Sequence, residues 1–116
     1  MVEIRKSLED EKYIIEVIGE VDASSSIHLD TAIEEAFSEG REKIMVDLTR
    51  LTYISSAGLG VFMSYLQEIK TKNIGFVLFG PDPKVKGTFS ILGLDQLVTI
   101  VDNQDQAKAF LDGISA

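Results

Sequence analysis

The sequence predicts an α/β fold: a mixed sheet of about five strands, covered by about four helices packed mainly on one side. Two observations carry this prediction. Apolar runs at residues 44–47 and 74–79 flank a stretch of helical periodicity, so the two strands should pair in parallel through a right-handed crossover. Residues 2–19 alternate instead between apolar and polar side chains, which predicts an antiparallel hairpin at the start of the chain.

The first elements follow from these patterns in order. Val2 and Ile4 begin one strand, a turn follows at residues 9–11, and residues 13–19 form the second strand. The segment "EVDASSS" then offers several helix caps. It precedes a helix that ends near Gly40 and whose apolar residues recur at helical spacing, namely Leu29, Ala32, Ile33, Ala36 and Phe37.

The second half alternates helices and strands. Residues 57–72 form a helix after the strand at 44–47, and a turn at 73–75 leads into the strand at 74–79. "GPDPK" opens a short helix that Gly93 ends, with one face formed by Val85, Phe89 and Leu92. Residues 98–101 supply a last strand, and a final helix presents the apolar residues Ala107, Phe110, Leu111 and Ile114.

Composition and charge narrow the class of protein. The 116 residues are 45% hydrophobic and 26% charged, which predicts one folded domain spanning residues 1–116. Cysteine is absent and no apolar run approaches the roughly 20 residues of a membrane span, so we expect a cytoplasmic protein without membrane association. The formal net charge of −8 argues against nucleic acid as a partner and favours a basic one.

The segment "YISSAGLG", residues 53–60, places two adjacent serines where a strand-like run gives way to a helix. A serine in this position can be a helix cap, a nucleophile or a phosphate acceptor. The segment lies at the carboxyl end of a parallel strand, where α/β folds usually present functional groups. If the second strand points the same way, Asp22 and residues 24–26 should lie near Ser55 and Ser56.

Several kinds of catalytic and cofactor site are disfavoured by the residues themselves. His28 is the only candidate base for a serine nucleophile, and a lone histidine on a helix is more often a surface residue. "GLG" is too short for a dinucleotide-binding loop, and the chain has no P-loop sequence or metal-ligand spacing. We therefore expect no enzyme activity and no cofactor, and we expect Gly58 and Gly60 to permit close packing.

The chain resembles the bacterial anti-sigma-factor antagonists of the STAS domain family. The resemblance rests on "GEVD" after the second strand, on "VDLTRLTYISSAGLGVF" in the centre and on "ILGLDQLVTIVDNQDQAKAFL" near the end. It implies a STAS-like domain and a partner-switching cycle. In that cycle the unmodified antagonist binds an anti-sigma factor that is also a serine kinase, releases the sigma factor, and is switched off by phosphorylation.

By position, the resemblance puts the phosphate acceptor at Ser56. Many phosphorylated members carry Asp before the acceptor, whereas this chain has Ser55, which leaves Ser55 as a secondary candidate. The resemblance implies two partners, an anti-sigma factor with serine kinase activity and a phosphoserine phosphatase. The predicted partner-binding residues are Gly19, Glu20, Asp22, Ser24, Ser55, Ser56, Gly58 and Leu59.

Two alternatives stay open on the sequence alone. Asp22 is either a cap or turn residue or a partner contact. The whole chain is either the phosphorylation-controlled antagonist or a STAS-type scaffold that works without phosphate, in a sensory assembly or a transport-associated complex.

Overall fold

Two long antiparallel strands open the fold. The computed structural model describes residues 1–114, in which β1 (Val2–Glu9) pairs with β2 (Lys12–Val21) along its whole length. Asp10 and Glu11 form the two-residue turn between them, with φ of 50° and 67°, the left-handed conformation that such a turn requires. The predicted hairpin is confirmed.

Four further strands join this hairpin in one mixed sheet. They are β3 (Lys43–Asp47), β4 (Leu51–Ile54), β5 (Gly75–Phe79) and β6 (Thr99–Val101). The strand order is β1-β2-β3-β5-β6, with β4 pairing to β2 off this path, and every pairing except that of β1 with β2 is parallel. The sheet of residues 1–114 therefore has six strands, one more than the sequence indicated.

The additional strand, β4, depends on a bulge in β2. Residues 13–16 pair with β3, residues 19–21 pair with β4, and the register shifts between Gly19 and Glu20. Gly19 has φ of 96°, a conformation that glycine adopts without the steric cost of a side chain. The sequence pattern missed β4 because its four residues are buried, exposed, exposed and buried, which is not the alternation of a strand.

The helices cover the two faces of the sheet unequally. They are α1 (Ser26–Ser38), α2 (Ser56–Ser64), α3 (Leu66–Thr71), α4 (Pro83–Ile91) and α5 (Gln104–Asp112), with a 3₁₀ turn at Leu94–Gln96. The buried residues of α1, α2 and α4 share the larger core, whereas α5 packs on a second cluster formed by Met45, Val77 and Phe79. The predicted packing mainly on one side is confirmed. All five residues of β5 are buried, as expected for a strand covered on both faces.

A chain of edge-to-face aromatic contacts ties the larger core together. Tyr65 meets Phe37 of α1 with ring centroids 5.2 Å apart, and Phe37 meets Phe76 of β5 at 6.4 Å. Phe76 then contacts Phe62 of α2 at 6.4 Å, and Phe62 contacts Phe89 of α4 at 6.5 Å. These rings therefore fix α1, α2 and α4 relative to β5.

The helix predicted over residues 57–72 is two helices. α2 ends at Ser64 and α3 begins at Leu66, with Tyr65 between them at φ −99° and ψ −3°. The Tyr65 side chain is buried, and its hydroxyl donates to Oδ1 of Asp30 on α1 at 2.7 Å. The break accompanies this contact with α1, which the periodicity of the sequence does not reveal.

The face predicted for α4 is correct at two of three positions. Val85 and Phe89 are buried, but Leu92 is 46% exposed. α4 ends at Ile91, so Leu92 is the C-cap and has left the helical spacing. Gly93 follows with φ of 79° and ends the helix as predicted.

We expect Tyr65→Phe to lower the free energy of unfolding by about 1–2 kcal/mol, because it removes a partly buried hydrogen bond to a carboxylate. Urea denaturation followed by circular dichroism measures this change. Tyr53→Phe is the matched control, because Tyr53 is 48% exposed and the same substitution there should change stability by less than about 0.5 kcal/mol. Equal effects of the two substitutions would contradict the role of the Asp30 contact.

Candidate functional site

Backbone pairing places the two serine-containing loops side by side. Val21 and Ile54, the last residues of β2 and β4, are paired, and the N–H of Ser55 donates to the carbonyl of Val21 at 2.8 Å. The loops after β2 and β4 therefore start next to each other, at the carboxyl ends of two parallel strands. The expectation that the Asp22 loop lies near the two adjacent serines is confirmed.

Asp22 organises the first loop. Its Oδ1 accepts four hydrogen bonds, from the N–H and hydroxyl of Ser24 at 3.0 and 2.8 Å and from the N–H and hydroxyl of Ser25, both at 2.9 Å. These bonds, above all that of the Ser24 hydroxyl, lower the pKa of Asp22 to about 2. Asp22 is thus a turn residue, and its carboxylate is ionised at neutral pH.

The two adjacent serines of the second loop have different surroundings. Ser55 is the N-cap of α2, with extended backbone, and its Oγ accepts a hydrogen bond from the N–H of Gly58 at 3.2 Å. Ser56 is the first helical residue and is exposed. The Ser55 hydroxyl therefore caps the backbone of α2, whereas Ser56 faces solvent.

Gly58 and Leu59, which follow the serines, are packing residues. A Cβ on Gly58 would lie 2.7 Å from Cγ1 of Ile54 and 2.8 Å from Cγ1 of Val21, so only glycine lets α2 begin this close to the strand ends. Leu59 is 1% exposed and belongs to the core, so its side chain is not available at the surface of the domain. The packing expectation is wrong for Gly60, because a Cβ there would have nothing within 4 Å.

Gly19 and Glu20 form the bulge beside the site. A Cβ on Gly19 would lie 2.5 Å from the carbonyl oxygen of Met1, and the N–H of Gly19 donates to the carbonyl of Arg50 at 3.0 Å. The Glu20 N–H donates to the carbonyl of Met1 at 3.1 Å, and the Glu20 side chain is exposed. Gly19 therefore shapes the strand that leads to Asp22, while the carboxylate of Glu20 faces solvent.

Exposed apolar side chains occur on the elements that carry the site. Ile27 in the first turn of α1 is 58% exposed, Tyr53 on β4 is 48% exposed and Met63 on α2 is 42% exposed. None of the three was predicted to be part of the site. The available signal was that Ile27 falls outside the helical spacing of the buried α1 residues.

Two surface grooves lie outside the serine-containing segment that follows β4. They have volumes of about 340 and 430 Å³ and are lined by residues of β1 with α1 and by residues around Gly40, and neither lining includes Ser55 or Ser56. Residues 1–114 contain no group of three or more His, Asp or Glu side chains placed to hold a metal ion. Across the same residues, no helix combines the length and hydropathy needed to cross a membrane.

Comparison with known proteins identifies the family. The sequence pattern of the STAS domain matches residues 2–107. This chain belongs to the STAS domain family. Relatives of the STAS chain include the anti-sigma-B factor antagonist of Listeria monocytogenes, which is 31% identical over 84 residues, 72% of this chain and 74% of the relative.

Solved structures share its fold. An anti-sigma factor antagonist from Mycobacterium paratuberculosis is 20% identical, with a TM-score of 0.90 over 97% of this chain and 95% of that chain. The Bacillus cell fate determinant SpoIIAA, in its phosphorylated form, is 20% identical, with a TM-score of 0.68 over 94% of this chain and 97% of that chain. The predicted STAS fold and the resemblance to the anti-sigma-factor antagonists are confirmed.

The two glycines of α2 should respond in opposite directions to alanine. We expect Gly58→Ala to destabilise the STAS fold by about 1–3 kcal/mol, because the new methyl group overlaps Ile54 and Val21. Gly60→Ala, the matched control in the same helix, should stabilise it by about 0.5–1 kcal/mol. Urea denaturation of both variants measures the difference, and a neutral Gly58→Ala would contradict the close packing.

The Asp22 network should be visible in acid. Because the folded-state pKa of Asp22 is about 2, below its ordinary value of 3.8, the ionised carboxylate stabilises the fold above that ordinary pKa. The contribution is lost as the pH falls through the folded-state pKa. We expect the Asp22 carboxyl carbon to titrate near pH 2 by NMR and the pKa to rise in Ser24→Ala.

Ser26→Ala is the control for this titration, because the Ser26 hydroxyl bonds to the carbonyl of Ala23 and not to Asp22. The Asp22 pKa should not change in that variant. A wild-type Asp22 that titrates at its ordinary pKa would rule out the network.

Proposed function

We propose that this STAS domain, residues 1–116, is an anti-sigma-factor antagonist that acts by binding and not by catalysis. Its unphosphorylated form binds an anti-sigma factor with serine kinase activity in the cytoplasm and releases the sigma factor. Phosphorylation of Ser56 ends that binding, and a phosphoserine phosphatase restores it. The observation that carries the proposal is an exposed serine at the first position of α2, beside the loop that Asp22 holds in place.

The geometry favours Ser56 over Ser55 as the acceptor. The Ser55 hydroxyl accepts a hydrogen bond from the Gly58 N–H, so losing this bond would uncap α2. Ser56 is not the helix cap, and it is more exposed than Ser55. A kinase can therefore reach Ser56 without opening the helix.

A phosphate at Ser56 is compatible with the fold. The first-turn N–H groups of a helix lack intrahelical acceptors, and the helix dipole favours negative charge there by about 0.3–2 kcal/mol. The phosphate adds about 1.5 to 2 negative charges near neutral pH. Since the neighbouring Asp22 carboxylate is already ionised, a partner that fits the unmodified surface would meet a strongly altered charge.

The partner surface that we propose consists of the Asp22 loop and the start of α2. Glu20, Asp22 and Ser24 supply its polar part, and Gly19, Ser55, Gly58 and Leu59 set its shape. Ile27, Tyr53 and Met63 supply exposed apolar area, and tyrosine and methionine are enriched in protein interfaces. The formal net charge of −8 favours a partner with a basic docking face.

Ser55 in place of the Asp common in phosphorylated relatives changes the charge beside the acceptor but keeps the helix cap. Both residue types cap helices well, and here the Ser55 hydroxyl makes the capping bond. We infer that the cognate kinase recognises the acceptor without an acidic residue immediately before it. Ser55→Asp should therefore preserve folding, because aspartate also caps helices.

Phosphate mapping tests the switch. After incubation with the cognate anti-sigma-factor kinase and ATP, we expect mass spectrometry to locate one phosphate on Ser56 and none in Ser56→Ala. Ser55→Ala should still accept phosphate but lose about 1 kcal/mol of stability with its cap. Phosphate found only outside Ser55 and Ser56 would contradict the proposal.

Partner binding gives a second readout. Ser56→Asp should weaken binding to the anti-sigma factor at least about tenfold, or about 1.4 kcal/mol, in isothermal titration calorimetry. Ser56→Asn, which is similar in size and uncharged, should bind within about threefold of the wild type. Unchanged binding by Ser56→Asp, with no phosphate transfer to the wild type, would instead support the phosphate-independent scaffold.

A further inference from the structure

The first strand of the sheet has a free edge. Within residues 1–114 the neighbour of β1 is β2, and the other side of β1 is unpaired. The Glu20 N–H donates to the carbonyl of Met1, so odd-numbered residues of this strand exchange hydrogen bonds with β2. The backbone groups that point away from the sheet belong to the even-numbered residues Val2, Ile4, Lys6 and Leu8. Such a row of unpaired groups is a template for another strand.

Opposite charges two residues apart lie along this edge. Glu3 and Arg5 point to the same face of the strand, both are more than half exposed, and their side chains are 2.7 Å apart. If β1 of a second copy pairs antiparallel about a twofold axis at Ile4, Glu3 of each copy lies opposite Arg5 of the other. This arrangement forms two cross-strand ion pairs in one interface.

The hydrogen-bonding pattern and the charges together select this register. Even-numbered residues must face even-numbered residues for the free backbone groups to meet. An axis at Arg5 would place the Arg5 guanidinium groups of the two copies against each other. An axis at Lys6 would oppose the two Lys6 ammonium groups and would also place Glu3 opposite Glu9. An axis at Ser7 would pair Arg5 with Glu9, but it would place Ile4 opposite Asp10 of the turn and leave Val2 and Ile4 without an apolar neighbour.

The other face of the strand supplies apolar surface to the same pairing. Val2 and Ile4 are only partly buried and line the groove of about 340 Å³ between β1 and α1. With the axis at Ile4, the Ile4 side chains of the two copies become neighbours across the strand pair. The pairing would therefore cover apolar area that the isolated chain leaves partly exposed.

We propose that β1 pairs with β1 of a second copy through residues 2–6, antiparallel and with the twofold axis at Ile4. The result is a dimer with one continuous sheet across both copies. The contact is short and belongs with the interfaces below about 1,200 Å², so the dimer is weak and depends on protein concentration. This self-association is independent of phosphate on Ser56.

Charge reversal with mixing tests the dimer. Sedimentation equilibrium of the wild type across the micromolar to millimolar range should give a dimer fraction that rises with concentration. Glu3→Arg and Arg5→Glu should each weaken self-association at least about tenfold, because each opposes like charges. An equimolar mixture of the two variants should dimerise at least as well as the wild type, since the two arginines of the first variant then face the two glutamates of the second.

Circular dichroism of each variant confirms that its fold is retained before mixing. The proposal is overturned if the wild type stays monomeric over the whole range. It is also overturned if both folded variants dimerise like the wild type, or if an equimolar mixture of the folded variants dimerises no better than either variant alone.

Disulfide trapping tests the register, because the chain contains no cysteine of its own. Hydrogen-bonded antiparallel neighbours have Cα atoms about 5.5 Å apart, within the range that a disulfide spans. Ile4→Cys should therefore cross-link under mild oxidation several-fold faster than Leu8→Cys, a control on the same edge that is 55% exposed. Faster cross-linking at Leu8 would overturn the axis at Ile4.

Discussion

The fold and its candidate site both depend on the way β2 divides one of its edges between two strands. Its first half bonds to β3, and after the bulge at Gly19 its last residues bond to β4. The Gly19 N–H donates to the carbonyl of Arg50, and the carbonyl of Val21 accepts the Ser55 N–H. Because of this division, α2 begins beside the end of β2. Backbone hydrogen bonds join the two loops of the site where they leave the strands.

Short hydrogen-bonded turns then hold the loops at this end of the sheet. Asp22 accepts bonds from the backbone and hydroxyl of Ser24, and Asp47 accepts bonds from the same groups of Thr49, also two residues later. Each turn closes locally, without relying on a distant side chain. A surface that is ordered before its partner arrives loses less conformational entropy on binding, so these turns favour a tight and specific contact.

Periodicity predicted the hairpin, the parallel strands other than β4 and the helical segments, because each of these buries side chains in a regular pattern. It failed where the decisive contact comes from elsewhere in the fold. Tyr65 divides a helical pattern where its hydroxyl bonds to Asp30 on another helix. Gly58 and Gly60 are alike in the sequence, and only the strand ends packed against the first of them distinguish their roles. The helix boundary, which makes Ser55 the cap, needed the structure as well.

In the first turn of α2, an exposed position and a packing position lie two residues apart. Position 56 faces solvent, whereas position 58, half a turn later, touches the side chains of the strand ends. Substitutions at position 56 therefore cost the core little, and under the proposed switch a single substitution there would give a permanently active or a permanently silent form. Position 58 has no such freedom. Among proteins built on this turn, position 56 should accordingly diverge faster than position 58.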